Sequence, residues 1–336
     1  MKGKFFSKII VLWSVVAIVS PPLVYGQRAD STNSVITFDE LYDSPYAINQ
    51  LFIHVQPLYG ELFVTNMNVG FGLEVDYYPS NKIDLSVQWR RAYGRATDFS
   101  RETAHKNKEN SNSPKSYNYL EVGGTFHLSD KEYPSQTKIV LYSKRYEGKR
   151  WSTANPKMLQ VPGSVRKIYG LRWGGLLYRS TTDVGRALTE QGIALEDQNG
   201  AQITATKLYN IVNTKVAYLG GSLTMIKNFA IRPHRDFGVL VNDLMFNSYI
   251  DIMYGPSIDI EDIQFEGMLY SSDPIETTNL GFRLGVEGKF NKKVGYGYGA
   301  ELGYRPGIKG RTFYTMFKMS FPVIGLIPSK DTIGGN

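Results

Sequence analysis

Apolar and polar residues alternate along this chain with a period of two over long stretches. Across 66–78 every second side chain is apolar, and polar side chains or glycines fill the positions between them. The same alternation recurs at 82–93, 116–128, 167–179 and 279–321. A period of two is that of a β-strand with one apolar and one polar face. The pattern therefore predicts an all-β fold.

Two architectures produce such alternation, a soluble β-sandwich and a membrane β-barrel with its apolar face toward lipid. The predicted strands are about 10–13 residues long, near the ~9–11 that a tilted strand needs to cross a bilayer. Their polar face mixes glycine with both signs of charge, as in a barrel interior. Aromatic residues lie near the strand ends, where an interfacial girdle is expected: Tyr77, Tyr78, Tyr93, Tyr117, Trp173, Tyr178, Tyr304 and Phe321. These features favour a transmembrane antiparallel up-and-down barrel.

The N-terminal segment has the composition of an export signal. Lys2, Lys4 and Lys8 precede the apolar stretch Ile9–Val19, which is shorter than the ~20 residues that a membrane-spanning helix needs. Small residues before Gln27 suit signal-peptidase cleavage there. An uncleaved N-terminal anchor is the alternative.

The strand count raises a difficulty, because eleven candidate strands are found and single-chain bacterial barrels usually have an even number. Eleven segments alternate: 49–57, 62–78, 82–93, 116–128, 137–146, 167–179, 215–226, 244–254, 279–290, 294–305 and 311–321. We take the tight turns at 79–81 and 291–293 as periplasmic, and successive connections then alternate between the two sides of the membrane. Counting from the N-terminus and counting from the C-terminus assign opposite sides to the region between 180 and 214. A weakly alternating strand at 202–211 restores an even number. We therefore predict about twelve strands, with ten or fourteen as alternatives.

The export signal, the glycine- and tyrosine-rich hairpins and the aromatic final strand Phe313–Phe321 resemble those of Gram-negative outer-membrane β-barrel proteins. The resemblance implies the bacterial outer membrane as the location and its lipid as a partner. It rests on pattern and on no family motif, and it departs from the usual pattern because Pro322–Asn336 follows the last strand. The implied organisation is a signal peptide at 1–26, a periplasmic extension at 27–48, a barrel at 49–321 and a C-terminal tail at 322–336.

Twelve charged residues fall on the predicted inward face of the barrel. Buried charges are costly unless they are paired or hydrated, so the lumen is either filled with ion pairs or a water-filled pore that sorts solutes by charge. The predicted lumen-lining residues are Glu74, Asp76, Asp84, Arg90, Glu121, Arg172, Arg283, Glu287, Lys289, Glu301, Arg305 and Lys318.

Composition excludes several other classes of function. The chain has no cysteine, which excludes disulfides, thiolate metal sites and cysteine nucleophiles. Loss of the three signal lysines would reduce the net charge from +7 to about +4, which is too little to indicate a nucleic-acid partner. No motif indicates a cofactor.

The four histidines offer little support for catalysis. His234 and Asp236 lie two residues apart and could form an acid–base pair, but such spacing often arises by chance. His127 adjoins a predicted periplasmic turn at 129–136, the wrong side for an outer-rim hydrolase. The acidic segment 259–266 could bind Ca²⁺ through oxygen ligands, although it fits no known loop motif. We expect neither an enzyme nor a metal site.

The segments between strands offer surfaces for partners. The stretches 94–115 and 147–166 are hydrophilic and are predicted to be exposed loops that dock envelope proteins. Asp183–Gln191 followed by Gly192 has the capping residues of a two-turn helix, with an irregular loop as the alternative. Three functions follow: a narrow porin-like channel for small polar or charged solutes, a non-conducting barrel that docks partners in secretion, adhesion or envelope assembly, and a membrane-embedded hydrolase. The channel is the leading hypothesis.

Overall fold

The computed structural model describes residues 37–64, 66–107, 112–141, 157–196, 200, 202, 207–234, 238–291 and 295–326. Their main feature is a closed β-barrel of ten strands. These are β1 Leu51–Phe63, β2 Asn66–Ser80, β3 Ile83–Ala92, β4 Asn118–Leu141, β5 Lys157–Asp183, β6 Tyr209–Ile226, β7 Leu244–Ile260, β8 Leu280–Phe290, β9 Gly297–Tyr304 and β10 Phe313–Leu326. The predicted export signal lies outside the described residues.

Each strand pairs antiparallel with its neighbour in the chain, and β10 pairs with β1 to close the ring. Closure leaves no unpaired strand edge around the ring, which is the condition for a barrel to lie in an apolar medium. The all-β, antiparallel and up-and-down parts of the fold prediction are therefore confirmed. In the described part of the chain, no helix has the length and apolarity required to cross a membrane.

The prediction of twelve strands is wrong, and the observed number is one of its alternatives. Polar residues and Pro134 at 129–136 suggested a turn, but β4 continues through them and pairs with β5 as far as Leu141. Proline is tolerated there because this part of β4 is an edge strand. Of the strand predicted at 202–211, Gln202 makes an isolated bridge and 209–211 belong to β6, while 203–206 lie outside the described residues. Removing the false turn restores parity.

The two faces of the barrel wall differ as the alternation predicts. The outward face is apolar, with Val122 52% exposed, Leu219 57% and Ile252 67%. The inward face holds polar side chains and glycines, and most of its charged residues are buried. A belt of exposed apolar side chains therefore surrounds a polar interior.

One end of the barrel, here called the loop end, carries the segments that join β3 to β4, β5 to β6 and β7 to β8. Folded segments cover this end. The predicted exposed loop at 94–115 contains α1, Phe99–Lys106. The helix predicted after Asp183 is confirmed as α2, Val184–Gln191, with the Asp183 side chain accepting a hydrogen bond from the Arg186 amide. Gly192 ends α2 at φ 68°, a left-handed conformation that glycine adopts readily.

A cluster of buried apolar residues packs at the loop end around α2. It includes side chains from α2, from the hairpin Ile263–Phe265/Met268–Tyr270 and from the two-residue strand Gly307–Ile308. The acidic segment 259–266 takes part in this end through separate contacts. Glu261 pairs with Lys115, and Asp262 accepts a hydrogen bond from the Ser272 amide. These carboxylates therefore do not converge on one point.

The opposite end, here the turn end, carries a second structural unit. The last pair between β3 and β4 is at Phe126, but β4 and β5 remain paired beyond it. This two-stranded extension, residues 129–141 of β4 and 157–169 of β5, is here called the arm. Beyond Glu132 this arm also extends past β6 and spans roughly 30 Å. The prediction of a loop at 147–166 is wrong for 157–166, which belong to β5, while 147–156 lie outside the described residues.

A small sheet lies beside the arm. Its strands are Phe38–Asp43, Phe229–Pro233 and Leu240–Asn242, in that order. The predicted loose extension at 27–48 therefore contains an ordered strand. The final strand also runs past Phe321 to Leu326, and the rest of the predicted tail lies outside the described residues.

Candidate functional site

The barrel interior, or lumen, is crossed by a network of four guanidinium and four carboxylate groups. This central network consists of Arg90, Arg172, Arg283, Arg305, Glu61, Glu121, Asp251 and Glu301. Seven strands contribute to it directly, and their alternation directs these side chains inward. Because the four positive charges equal the four negative charges, the network is formally neutral.

Arg283 is the centre of this network. Its Nε donates to Asp251 Oδ2 at 2.7 Å and its Nη1 to Glu121 Oε2 at 3.0 Å. β8 and β4 are four strands apart around the ring, so the Arg283–Glu121 pair crosses the lumen. Arg283 is fully buried. Such a pair is stable only where the remaining polar atoms also have partners.

Tyrosines fill the space around the charged groups. The Tyr249 hydroxyl donates to Glu301 at 2.9 Å and the Tyr117 hydroxyl to Glu61 at 3.0 Å. The Arg305 guanidinium lies 3.7 Å from the Tyr314 ring centroid, a cation–π distance. These rings pack against the charged groups, and Arg90, Arg283 and Arg305 are fully buried.

A second group of charges, the lower cluster, lies toward the turn end. Lys318 Nζ is 2.8 Å from Glu74 and 2.7 Å from Glu287. Lys289 Nζ is 2.7 Å from Asp76, across the lumen from β8 to β2. The cavity beside these residues has a volume of about 50 Å³, enough for a few water molecules.

The structure places the predicted lumen residues in three groups. Six belong to the central network and five to the lower cluster. Asp84 lies at the turn-end rim, where its carboxylate is 2.9 Å from His127 Nε2. Glu61 was missed because it falls between the predicted strands 49–57 and 62–78, whereas β1 continues through it after a bulge between Gln56 and Tyr59. Asp251 was missed although its strand was recognised.

The Tyr249 ring packs so closely against Gly285 that this position requires a residue without a side chain. A Cβ atom added there would lie 2.1 Å from Tyr249 Cζ, whose ring is needed to reach Glu301. Gly285→Leu is expected to lower the free energy of unfolding by about 1–3 kcal/mol through overpacking. Urea unfolding in detergent micelles measures this. Ala300→Leu on the exposed outward face of β9 is the matched control, and an equal loss in both variants would show that the lumen is not tightly filled.

Two of the four histidines, His127 and His234, lie within hydrogen-bonding distance of an aspartate. His234 Nε2 is 2.7 Å from Asp39 Oδ1, which joins the first two strands of the small sheet, and Asp236 lies outside the described residues. His54 has a ring nitrogen within 4.8 Å of Glu74 and Asp76 oxygens, a donor set that suits a divalent cation. Both carboxylates already pair with lysines, and these ion pairs account for the arrangement.

The arm and the small sheet form a packed unit, here called the platform. Arg166 at the base of the arm is 2.6 Å from Asp130 and stacks 4.5 Å from the Tyr46 ring centroid. Lys227 donates to Thr137 on the arm at 2.8 Å, and burial lowers the pKa of its amine. The platform is therefore held by contacts from several chain segments.

One side of the platform is open to solvent. A groove between the strand Phe38–Asp43 and the arm is lined by Glu40, Asp43, Glu132, Tyr133, Pro134, Pro162, Gly163 and Ser164. On the other side, Val161 and Val165 of the arm are buried. The arm thus has one packed and one exposed side.

Comparison with known proteins gives no family. No protein-family profile matches the chain, and no curated protein matches it. Among solved structures, a bacterial polysaccharide outer membrane secretin is similar over 82% of this chain and 99% of the secretin chain, with 9% sequence identity and a TM-score of 0.19. A TM-score of this size carries no argument about function.

Proposed function

We propose that this protein is a non-conducting outer-membrane β-barrel that anchors a docking platform at the membrane. The filling of the lumen by buried ion pairs carries the proposal. The central network spans the barrel through pairs such as Arg283–Glu121, and the cavity beside the lower cluster has room for only a few water molecules. A porin-like channel would need an open, hydrated path along the same axis.

The apolar belt and the closed ring support insertion in a bilayer. Exposed side chains such as Leu219, Ile250 and Ile252 would be unfavourable in water and are suited to lipid. In this proposal the loop end faces outward and the turn end faces the periplasm, because tight turns belong on the periplasmic side. The platform then projects into the periplasm. We propose no catalytic role and no cofactor.

The platform is the part of the molecule best suited to bind a protein partner. It is built from a sheet and a two-stranded arm rather than from single loops, so its exposed side is presented in a fixed orientation. Tyr133 on the arm is 38% exposed and lies under the Lys167 amine. Aromatic residues of this kind are enriched in protein interfaces.

Site-specific photo-crosslinking in cells tests the docking role. A photoreactive phenylalanine analogue at Tyr133 is expected to give a discrete protein adduct. The same analogue at Leu269, an exposed residue of the loop end, is the control and is expected to give none. A protein adduct at Leu269 together with none at Tyr133 would contradict the assignment of docking to the platform.

A further inference from the structure

The outward face of the barrel carries a localised group of positive charges. Arg91 on β3, Arg179 on β5 and Lys215 on β6, here called the basic patch, all lie toward the loop end. The described outward-facing side chains of β1, β2, β8, β9 and β10 include no charged residue. The patch is therefore confined to one side of the barrel wall.

Strand register brings the three cations together. Arg91 pairs with Asn118 on β4, and Asn118 pairs with Arg179 on β5, so the two arginines are about 10 Å apart at the backbone. Lys215 pairs with Leu177, two residues from Arg179. Arginine and lysine side chains are long enough to converge across such a spacing on one headgroup.

The cations of the patch lack anionic partners in the protein. Within the residues that the structure describes, none of the three forms a salt bridge, and Arg179 Nε is shielded from solvent without a hydrogen-bond partner. Asp259 is the nearest exposed carboxylate on the neighbouring strand, and it accepts a hydrogen bond from Ser257. The patch therefore retains an excess of positive charge.

The patch also lies at the border of the apolar belt. Toward the turn end, strands β4, β5 and β6 expose Val122, Leu177 and Leu219. A lipid whose acyl chains contact these residues would have its headgroup at the level of the patch. Guanidinium groups bind phosphate through two parallel hydrogen bonds, and lysine adds a point charge.

We infer that the basic patch binds the phosphates of a phosphorylated glycolipid in the outer leaflet. This inference rests on the proposed membrane insertion, with the loop end outward. Three clustered cations suit a headgroup with more than one phosphate better than a phospholipid with a single phosphate. The patch would hold such a lipid against one side of the barrel.

Native mass spectrometry of the folded protein in detergent tests this inference with bisphosphorylated lipid A as the probe. Wild type is expected to bind it at least tenfold more tightly than dephosphorylated lipid A or phosphatidylglycerol. R91Q/R179Q/K215Q is expected to lose this preference. The charge-matched control K106Q/R186Q/K309Q, at exposed loop-end positions off the barrel wall, is expected to keep it.

Gel migration of the same samples, unheated and boiled, distinguishes failure of the glycolipid site from failure of the membrane barrel. A folded barrel migrates faster unheated than boiled. If wild type lacks this heat-modifiable migration, the membrane barrel itself fails. Two results would overturn the glycolipid site while the barrel stands. The first is that folded, heat-modifiable wild type binds phosphatidylglycerol as tightly as bisphosphorylated lipid A. The second is that folded R91Q/R179Q/K215Q binds bisphosphorylated lipid A as tightly as wild type. If the triple variant does not fold, the single variants R91Q and K215Q replace it, and unchanged lipid A binding in both overturns the site.

Discussion

Replacing Arg283 with methionine is expected to lower the free energy of unfolding by about 3–5 kcal/mol. The substitution removes the cation that bonds Glu121 and Asp251 in the middle of the lumen. Both carboxylates would remain buried, each with one fewer positive partner. The cost arises chiefly from these uncompensated charges, because methionine keeps an unbranched stem like that of arginine and lacks its charged end.

Urea unfolding of the protein reconstituted in lipid vesicles measures this loss. Lys309→Met is the matched control, because Lys309 pairs with Glu276 in an ion pair whose two side chains are 60% and 56% exposed. Such pairs contribute roughly 0–1 kcal/mol. Equal, small effects of the two substitutions would mean that the charges in the lumen are hydrated, as in an open pore.

Replacing Ile252 with arginine is expected to impair insertion by roughly 2–4 kcal/mol, the cost of arginine at the bilayer midplane of a barrel. Ile252 is 67% exposed and lies between Leu219 and Phe282 on the neighbouring strands. Its side chain is therefore within the apolar belt. Outer-membrane fractionation and heat-modifiable migration on gels measure insertion.

Leu280→Arg provides the matched control for this prediction. Leu280 is 65% exposed, almost as much as Ile252, but it begins β8 at the loop end. Near the membrane interface arginine costs about 0–1 kcal/mol. If both variants insert equally well, the belt does not lie in a bilayer and the membrane proposal is wrong.

Much of the barrel wall was predictable because alternation is a local property of the chain. The faces of β2 and β8 follow directly from their sequences. The strand count was not predictable in this way, since Pro134 and its polar neighbours carry turn signals that pairing with β5 overrides. Local signals and tertiary pairing disagree there, and the pairing determines the structure.

The ion pairs that fill the lumen could not be read from the sequence either. Alternation identifies Glu121 and Arg283 as inward-facing, but it does not say that they meet across the barrel at 3.0 Å. That contact depends on the number of strands, and a ten-stranded ring is narrower than the predicted one. The arm depends in the same way on the absence of a turn. The sequence thus left the channel and the docking protein as open alternatives.

Single-channel recording in planar bilayers tests the closed lumen most directly. Purified wild-type protein, shown to be folded by heat-modifiable migration before and after reconstitution, is expected to give no unitary conductance at any voltage that the bilayer withstands. Well-defined unitary steps in wild type, with an ion selectivity that shifts toward cations in Arg172→Glu, would contradict this account and identify the lumen as a pore.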